Sequence, residues 1–123
     1  MLPINPLLQL TPLRVRRAVT RVQDMIWTSG GVPHIEATKT SAQHLSLEEA
    51  RKRSRSKVSV GECWGRLYDQ RWCRVALPAG KSRWLHWDEE GEATLYVKGV
   101  PFYGFDVAHR VCAIPDGIRE VWI

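Results

Sequence analysis

The 123-residue chain contains 44% hydrophobic and 25% charged residues, the composition of an ordinary globular protein, which excludes a disordered or fibrous one. Its net charge of +5 is unevenly spread: residues 1–57 have 10 basic and 4 acidic side chains, whereas residues 58–123 have 8 and 9. No apolar run approaches the roughly 20 residues that cross a bilayer, and the first residues lack signal-peptide features, so we expect a soluble cytoplasmic protein without a membrane partner.

The first 57 residues are predicted to form a basic helical lead-in and a linker. Valines recur at helical spacing, with arginines towards the other side, which predicts an amphipathic helix over about 12–27. Thr11 is a suitable cap for this helix, and Pro12 suits the first helical position. The Thr/Ser-rich stretch 32–45 shows no sustained period and is predicted to be a connecting loop.

A second, short helix is predicted after Ser46. Ser46 and Glu49 have the spacing of a capping box, and the helical pattern runs to about Ser56. The basic run from Arg51 to Lys57 could contact nucleic acid by charge alone. It has no interleaved aromatic residues for stacking on bases, so a solvated helix face is the favoured interpretation.

Residues 58–123 are predicted to form an antiparallel β-sandwich. Short runs of β-forming residues alternate with turns, and no connection is long enough for a crossover helix. The Lys98-Gly99 step predicts a tight hairpin. The predicted strands are Trp72–Leu77, Arg83–Trp87, Ala93–Val97, Val100–Phe105, Val111–Ile114 and Ile118–Ile123. Five tryptophans of this half are expected to supply much of its buried area, namely Trp64, Trp72, Trp84, Trp87 and Trp122.

The residues able to bind a metal ion are scattered along the chain. The three cysteines lack the close pairs of zinc or redox motifs and are predicted to be buried thiols in a reducing compartment, at positions Cys63, Cys73 and Cys112. The four histidines likewise lack ligand spacing, at positions His34, His44, His86 and His109. The acidic run 88–92 is predicted to be a solvated turn. We therefore expect neither a metal site nor a catalytic carboxylate pair in this chain.

Two stretches of the β half carry a recognisable pattern. The first is Val60–Val75 followed by Ala-Leu-Pro78, in which a Trp-Gly pair precedes an aromatic strand and then a Leu-Pro step. The second, Trp87–Arg110, contains Gly-Glu-Ala, an apolar Tyr-Val strand, a Lys-Gly turn and Gly-Phe-Asp-Val-Ala-His. Their order and spacing resemble the N-terminal β-sandwich region of bacterial-type α-mannosidases, family 38 of the glycoside hydrolases. Phe105 stands where that family has Leu, and Cys73 where a second aromatic residue is common.

The resemblance implies a fold and a non-catalytic role. It implies a mainly β fold with an α-helical lead-in, the sandwich being of the jelly-roll, galactose-binding-like kind. In that family the sandwich precedes a larger catalytic domain with a zinc ion and a nucleophilic aspartate, and nothing in these residues corresponds to it. The chain alone is therefore expected to have no enzyme activity or cofactor, and to pack against the catalytic domain of its parent α-mannosidase.

The loop that contains Asp106, His109 and Arg110 is the predicted contact site. It places an acceptor, an imidazole and a guanidinium within five residues, a set able to bind another domain or a mannose-containing glycan. The structural interpretation is that Asp106 caps the loop and pairs with Arg110. Two other functions remain open, an independent carbohydrate-binding module with an exposed aromatic platform and, less favoured, a small basic nucleic-acid-binding protein.

Overall fold

The computed structural model describes residues 6–26, 30–31, 33–59 and 61–123, in two compact units, Met1–Val32 and Pro33–Ile123. The first unit contains helix α1, Pro6–Ile26. The predicted start near residue 12 is therefore wrong, because Thr11 and Pro12 lie inside the helix. Pro12 costs one backbone hydrogen bond there, and the preceding Leu-Leu-Gln-Leu run is a strong helix former. No helix in the described part of the chain is both long and apolar enough to cross a membrane.

The second unit contains two antiparallel sheets, which confirms the predicted mainly β, antiparallel fold. The six-stranded sheet has the order β2-β1-β3-β8-β5-β6, and β4 pairs with β7 in a two-stranded sheet. The elements are β1 His34–Thr38, α2 Leu47–Lys52, β2 Arg55–Lys57, β3 Cys73–Ala76, β4 Arg83–His86, β5 Ala93–Val97, β6 Val100–Phe105, β7 Val111–Ile114 and β8 Glu120–Trp122. The β-strands predicted after residue 72 agree with β3 to β8 to within a few residues.

The main core lies between the two sheets. Side chains of β3, β5, β6 and β8 pack with those of β7, and the largest fully buried ones are Phe105, Leu95, Val75 and Val121. Trp87 stacks on Phe105 with its ring centroid 5.6 Å away. Because both sheets contribute to one apolar layer, the unit is a β-sandwich.

A second cluster covers the opposite face of the six-stranded sheet. Successive residues of a strand point to opposite faces, so Val121 joins the main core while Trp122 joins this cluster. Trp72 and Ala50 of α2 complete it. The capping box of α2 is formed as predicted: Ser46 Oγ accepts from the Glu49 backbone N–H at 3.2 Å, and Glu49 Oε2 accepts from the Ser46 N–H at 2.8 Å.

The prediction of a loop over 32–45 and of a helix to Ser56 is wrong. Residues 34–38 form β1, which pairs with β3, and residues 55–57 form β2, so α2 ends at Lys52. Residues 34–38 alternate between polar and apolar side chains, but over five residues only, and the hydrogen bonds of both segments come from other strands. The compact unit consequently begins at Pro33, whereas the predicted division separated 1–57 from 58–123.

Two predictions about burial also need correction. Trp72 and Trp122 are buried, as expected, but Trp84 is 51% exposed because it lies on the outer side of β4. All three cysteines are free thiols; Cys112 is buried and Cys73 partly buried, but Cys63 is exposed in an irregular segment.

Candidate functional site

The loop between β6 and β7 is held together by Asp106. Its Oδ1 accepts hydrogen bonds from the backbone N–H groups of Ala108, at 2.8 Å, and His109, at 2.7 Å. The same oxygen lies 2.9 Å from His109 Nδ1, and the Asp106 N–H donates to the His109 carbonyl at 3.1 Å. The carboxylate therefore closes a compact turn, the local capping role expected of aspartate.

These contacts perturb the acidity of Asp106. The N–H of Ala108 foremost, and then the ring and N–H of His109, hold the pKa of the Asp106 carboxyl below its ordinary value by binding its ionised form. The side chain of His109 is 62% exposed. With Nδ1 directed to Asp106, the ring nitrogen that can serve a partner from outside is Nε2.

Arg110 contributes to a different part of the loop end. Its Nε donates to the Val107 carbonyl at 3.4 Å, and its guanidinium lies 3.5 Å from the Trp87 and Glu89 carbonyls and 4.0 Å from Asp88 Oδ1. The predicted pairing of Asp106 with Arg110 is thus wrong. The short loop turns the imidazole onto the carboxylate and the guanidinium towards the turn after β4. The three predicted site residues share the loop, but only Asp106 and His109 bond to each other.

The remaining charged candidates stay dispersed. The acidic residues Asp88, Glu89, Glu90 and Glu92 are all exposed on a turn, as predicted. His44 Nδ1 lies 3.2 Å from Gln70 Oε1, and His34 lies beside Glu36. Within residues 6–26, 30–31, 33–59 and 61–123, no three His, Cys, Asp or Glu side chains are grouped so that they could hold a metal ion.

The basic run after Ser46 is partly engaged within the fold. The guanidinium of Arg55 lies over the Trp122 ring, 5.2 Å from its centroid, and its Nε is 3.5 Å from Glu36 Oε2. Lys52 pairs with Glu48 at 3.2 Å. The first contact draws Arg55 partly into the fold and the second pairs Lys52 with a carboxylate on the surface, and both reduce the positive charge offered to a nucleic acid.

The outer face of the β4–β7 sheet is a feature that the sequence reasoning missed. Trp84 is paired in register with Ala113, and His86 with Val111, and all four residues are exposed while their strand neighbours turn inward. Val107, in the loop that leads into β7, is 76% exposed. Both faces of β4 and β7 have apolar residues in the sequence, so the side that faces solvent could not be read from it.

A pocket also escaped the sequence reasoning. It has a volume of about 450 Å³ and lies between β1, β2 and the segment that leads to β3. The residues lining it are Ala37, Thr38, Lys39, Thr40, Ser56, Val58, Glu62, Trp64, Gly65 and Arg71. We call it the Arg71 pocket. No sequence motif indicated this pocket, because one of its walls is formed by β1, a segment that was predicted to be a loop.

The comparisons with known proteins agree with this architecture. No curated protein and no solved structure matches the chain. A protein-family model described as "alpha-mannosidase, jelly roll domain" matches residues 29–118. This match includes β1 and β2, in agreement with a compact unit that begins at Pro33. Because it covers most of the chain, the predicted relationship to α-mannosidases is confirmed, and the chain belongs to the α-mannosidase jelly roll domain family.

Proposed function

We propose that this chain is a non-catalytic accessory domain that packs against the zinc-dependent catalytic domain of its parent α-mannosidase. The outer face of the β4–β7 sheet, with the adjoining 106–110 loop, is the proposed contact surface. The observation that carries the proposal is the exposure of Trp84, Val111 and Val107 on this surface, in a chain that belongs to an α-mannosidase domain family.

An exposed tryptophan on the same sheet face as an exposed valine is typical of a domain interface. Apolar residues that gather on one side of a small domain commonly mark a contact with another protein surface, and tryptophan supplies more buried area than other side chains. The nearby loop adds polar groups. Asp106 fixes the loop, so that His109 and Arg110 are held in place for hydrogen bonds to the partner domain.

The chemistry of the chain supports a non-catalytic role. Glycoside hydrolysis uses two carboxyl groups on either side of one bond, and the clustered acidic residues here lie together on an exposed turn. The described side chains do not fit a zinc site, because they provide no group of three ligands. In this proposal the catalytic domain of the parent enzyme holds the zinc ion and the nucleophile, and the parent is a member of glycoside hydrolase family 38. The free thiols support a reducing, cytoplasmic setting.

The interface is tested by comparing variants in the chain and in the parent enzyme. Trp84→Ser and Val111→Thr change the proposed contact, while Val100→Thr is a control on an exposed residue of the other sheet. We expect each variant to change the melting temperature of the isolated chain only slightly. In the parent, the first two should lower the melting temperature and expose the domain junction to proteolysis. If Val100→Thr has the same effect in the parent as Trp84→Ser, the assignment of the interface is wrong.

The non-catalytic assignment is tested on the purified chain. We expect no turnover of an aryl α-mannoside, with or without added zinc, under conditions in which the parent enzyme is active. Any turnover is checked by repurification and in a variant in which the turn acids Glu89 and Glu90 are both changed to Gln. Turnover that this variant retains would come from catalytic groups elsewhere in the chain. Turnover in either form would overturn the proposal.

A further inference from the structure

The Arg71 pocket shares no residue with the proposed interface and has its own arrangement of polar groups. The guanidinium of Arg71 lies over the Trp64 ring, 4.3 Å from its centroid, and its Nη1 is 3.8 Å from Glu62 Oε1. The side chain of Arg71 is only 8% exposed, and its buried Nε has no hydrogen-bond partner. The separation of 3.8 Å between Arg71 Nη1 and Glu62 Oε1 is too long for a hydrogen bond, so this end of the guanidinium favours a ligand that brings an oxygen acceptor.

The pocket is formed by contacts that fix its walls. The Ser59 N–H donates to Glu62 Oε2 at 3.1 Å, which orients that carboxylate. On the other side, Thr38 is buried, and its Oγ1 accepts from the Trp72 N–H at 3.1 Å. Thr40 and Ser56 also line the pocket, and each has a hydroxyl group that can donate and accept.

The pocket is lined by charges of both signs, Lys39 and Arg71 against Glu62, which favours a ligand that both donates and accepts hydrogen bonds. Glu62 lies beside Arg71, so an anion that approached the guanidinium would also meet a carboxylate. A vicinal diol suits this pair, because one hydroxyl can accept from the guanidinium while its neighbour donates to the carboxylate. The volume of about 450 Å³ lies within the range of small-molecule sites and accommodates one sugar ring.

We propose that the Arg71 pocket binds one ring of a neutral, polyhydroxylated ligand, namely a pyranose unit of a glycan. Arg71 donates to the ring hydroxyls, Glu62 accepts from them, and Trp64 forms the apolar side of the site. The accessory domain would then hold a glycan as well as contacting its catalytic domain. This inference goes beyond the interface proposal and is independent of it, because Trp84 and Val111 take no part in the site.

The test is a titration of the isotope-labelled full chain, followed by two-dimensional NMR. The probe is methyl α-mannopyranoside, and inorganic phosphate is titrated separately. We expect saturable shifts of the Trp64 indole and of the backbone of residues 38–40, with a dissociation constant on the order of 1 mM, as is reasonable for one small ring. Phosphate should cause no saturable shift at these residues.

Variants of the pocket define the roles of its residues. Glu62→Ala and Trp64→Ala should each weaken binding about tenfold, the effect of one lost hydrogen bond to a charged group or one lost ring contact. Glu90→Ala, which removes an exposed carboxylate on the 88–92 turn, is the matched control and should leave binding unchanged. Melting curves verify that each variant is folded.

Several outcomes would overturn the site. Saturation by phosphate but not by the sugar would indicate an anion site, and shifts centred on Trp84 would place sugar binding elsewhere. The absence of any saturable shift at 50 mM sugar, a concentration about fiftyfold above the expected dissociation constant, would also refute it. Saturation by phosphate or the absence of a shift leaves the interface proposal untouched, since that proposal is tested by the melting and proteolysis of the parent enzyme, whereas sugar bound at Trp84 would count against it as well.

Discussion

Replacing Trp72 with alanine is expected to prevent stable folding of the sandwich unit. Trp72 is 9% exposed, and its Nε1–H donates to the Leu45 carbonyl at 2.8 Å. The centroid of its ring lies 5.1 Å from that of Tyr96. Its backbone N–H donates to Thr38 Oγ1, and its carbonyl accepts from the Thr38 N–H. The side chain thus links the segment before α2 to β5 of the six-stranded sheet.

The magnitude follows from these contacts. Truncating a buried Trp to Ala commonly costs about 3–5 kcal/mol, which is most of the stability of a small domain. For a unit of this size, 1 kcal/mol corresponds to a fall in melting temperature of about 4–8 °C. We therefore expect Trp72→Ala to be unfolded or aggregated at room temperature, or to melt at least 12 °C below the unmodified chain.

Two controls separate burial from residue type. Trp84→Ala makes the same substitution at a residue that is 51% exposed, and it should cost less than half as much. Trp72→Phe keeps most of the apolar volume but loses the bond to Leu45, and it should cost about 1–2 kcal/mol. The assays are urea denaturation and thermal melting, both followed by circular dichroism. If Trp72→Ala melts like the unmodified chain, the packing of this second cluster is wrong.

Three further predictions concern local features. Asp106→Ala should lower the melting temperature at neutral pH. The folded pKa of this carboxyl lies below its ordinary value of 3.8, so the ionised group stabilises the folded chain above that value, and this stabilisation is lost as the pH falls through the folded pKa. The melting temperatures of the variant and the unmodified chain should therefore converge in acid. A constant difference across pH would refute a role for the charge. Ser46→Ala removes the cap of α2 and should cost about 1 kcal/mol in urea denaturation, whereas an unchanged midpoint would contradict the capping box. A thiol reagent should modify Cys63 first, and Cys73 and Cys112 only after unfolding, because burial raises the pKa of the latter two; equal rates in the native protein would contradict their placement.

Features that depend on neighbouring residues were predictable from the sequence. The Lys98-Gly99 hairpin is formed, with φ of 51° and 78°, because a two-residue loop between paired strands requires positive φ and glycine accepts it readily. The capping box of Ser46 and Glu49 depends on a spacing of three residues within one turn. The family relationship was visible for the same reason, since it rests on continuous stretches of the β half.

Features that depend on distant partners were decided only by the tertiary structure. The segment 34–38 became a strand because β3 and β2 supply its hydrogen bonds from either side. Whether Trp84 faced the core or solvent depended on which side of the β4–β7 sheet met the larger sheet, and apolar residues on both sides of these strands are compatible with either.

The two candidate sites show the same division. The closure of the 106–110 loop by Asp106 is a local effect and was predicted, whereas the turn of Arg110 towards the carbonyls of Trp87 and Glu89 required β4 and β7 to be paired. The Arg71 pocket unites residues of β1, β2 and the segment before β3. Sequence spacing determines contacts within a turn, but contacts across strands depend on register, which is fixed only when the whole sheet packs.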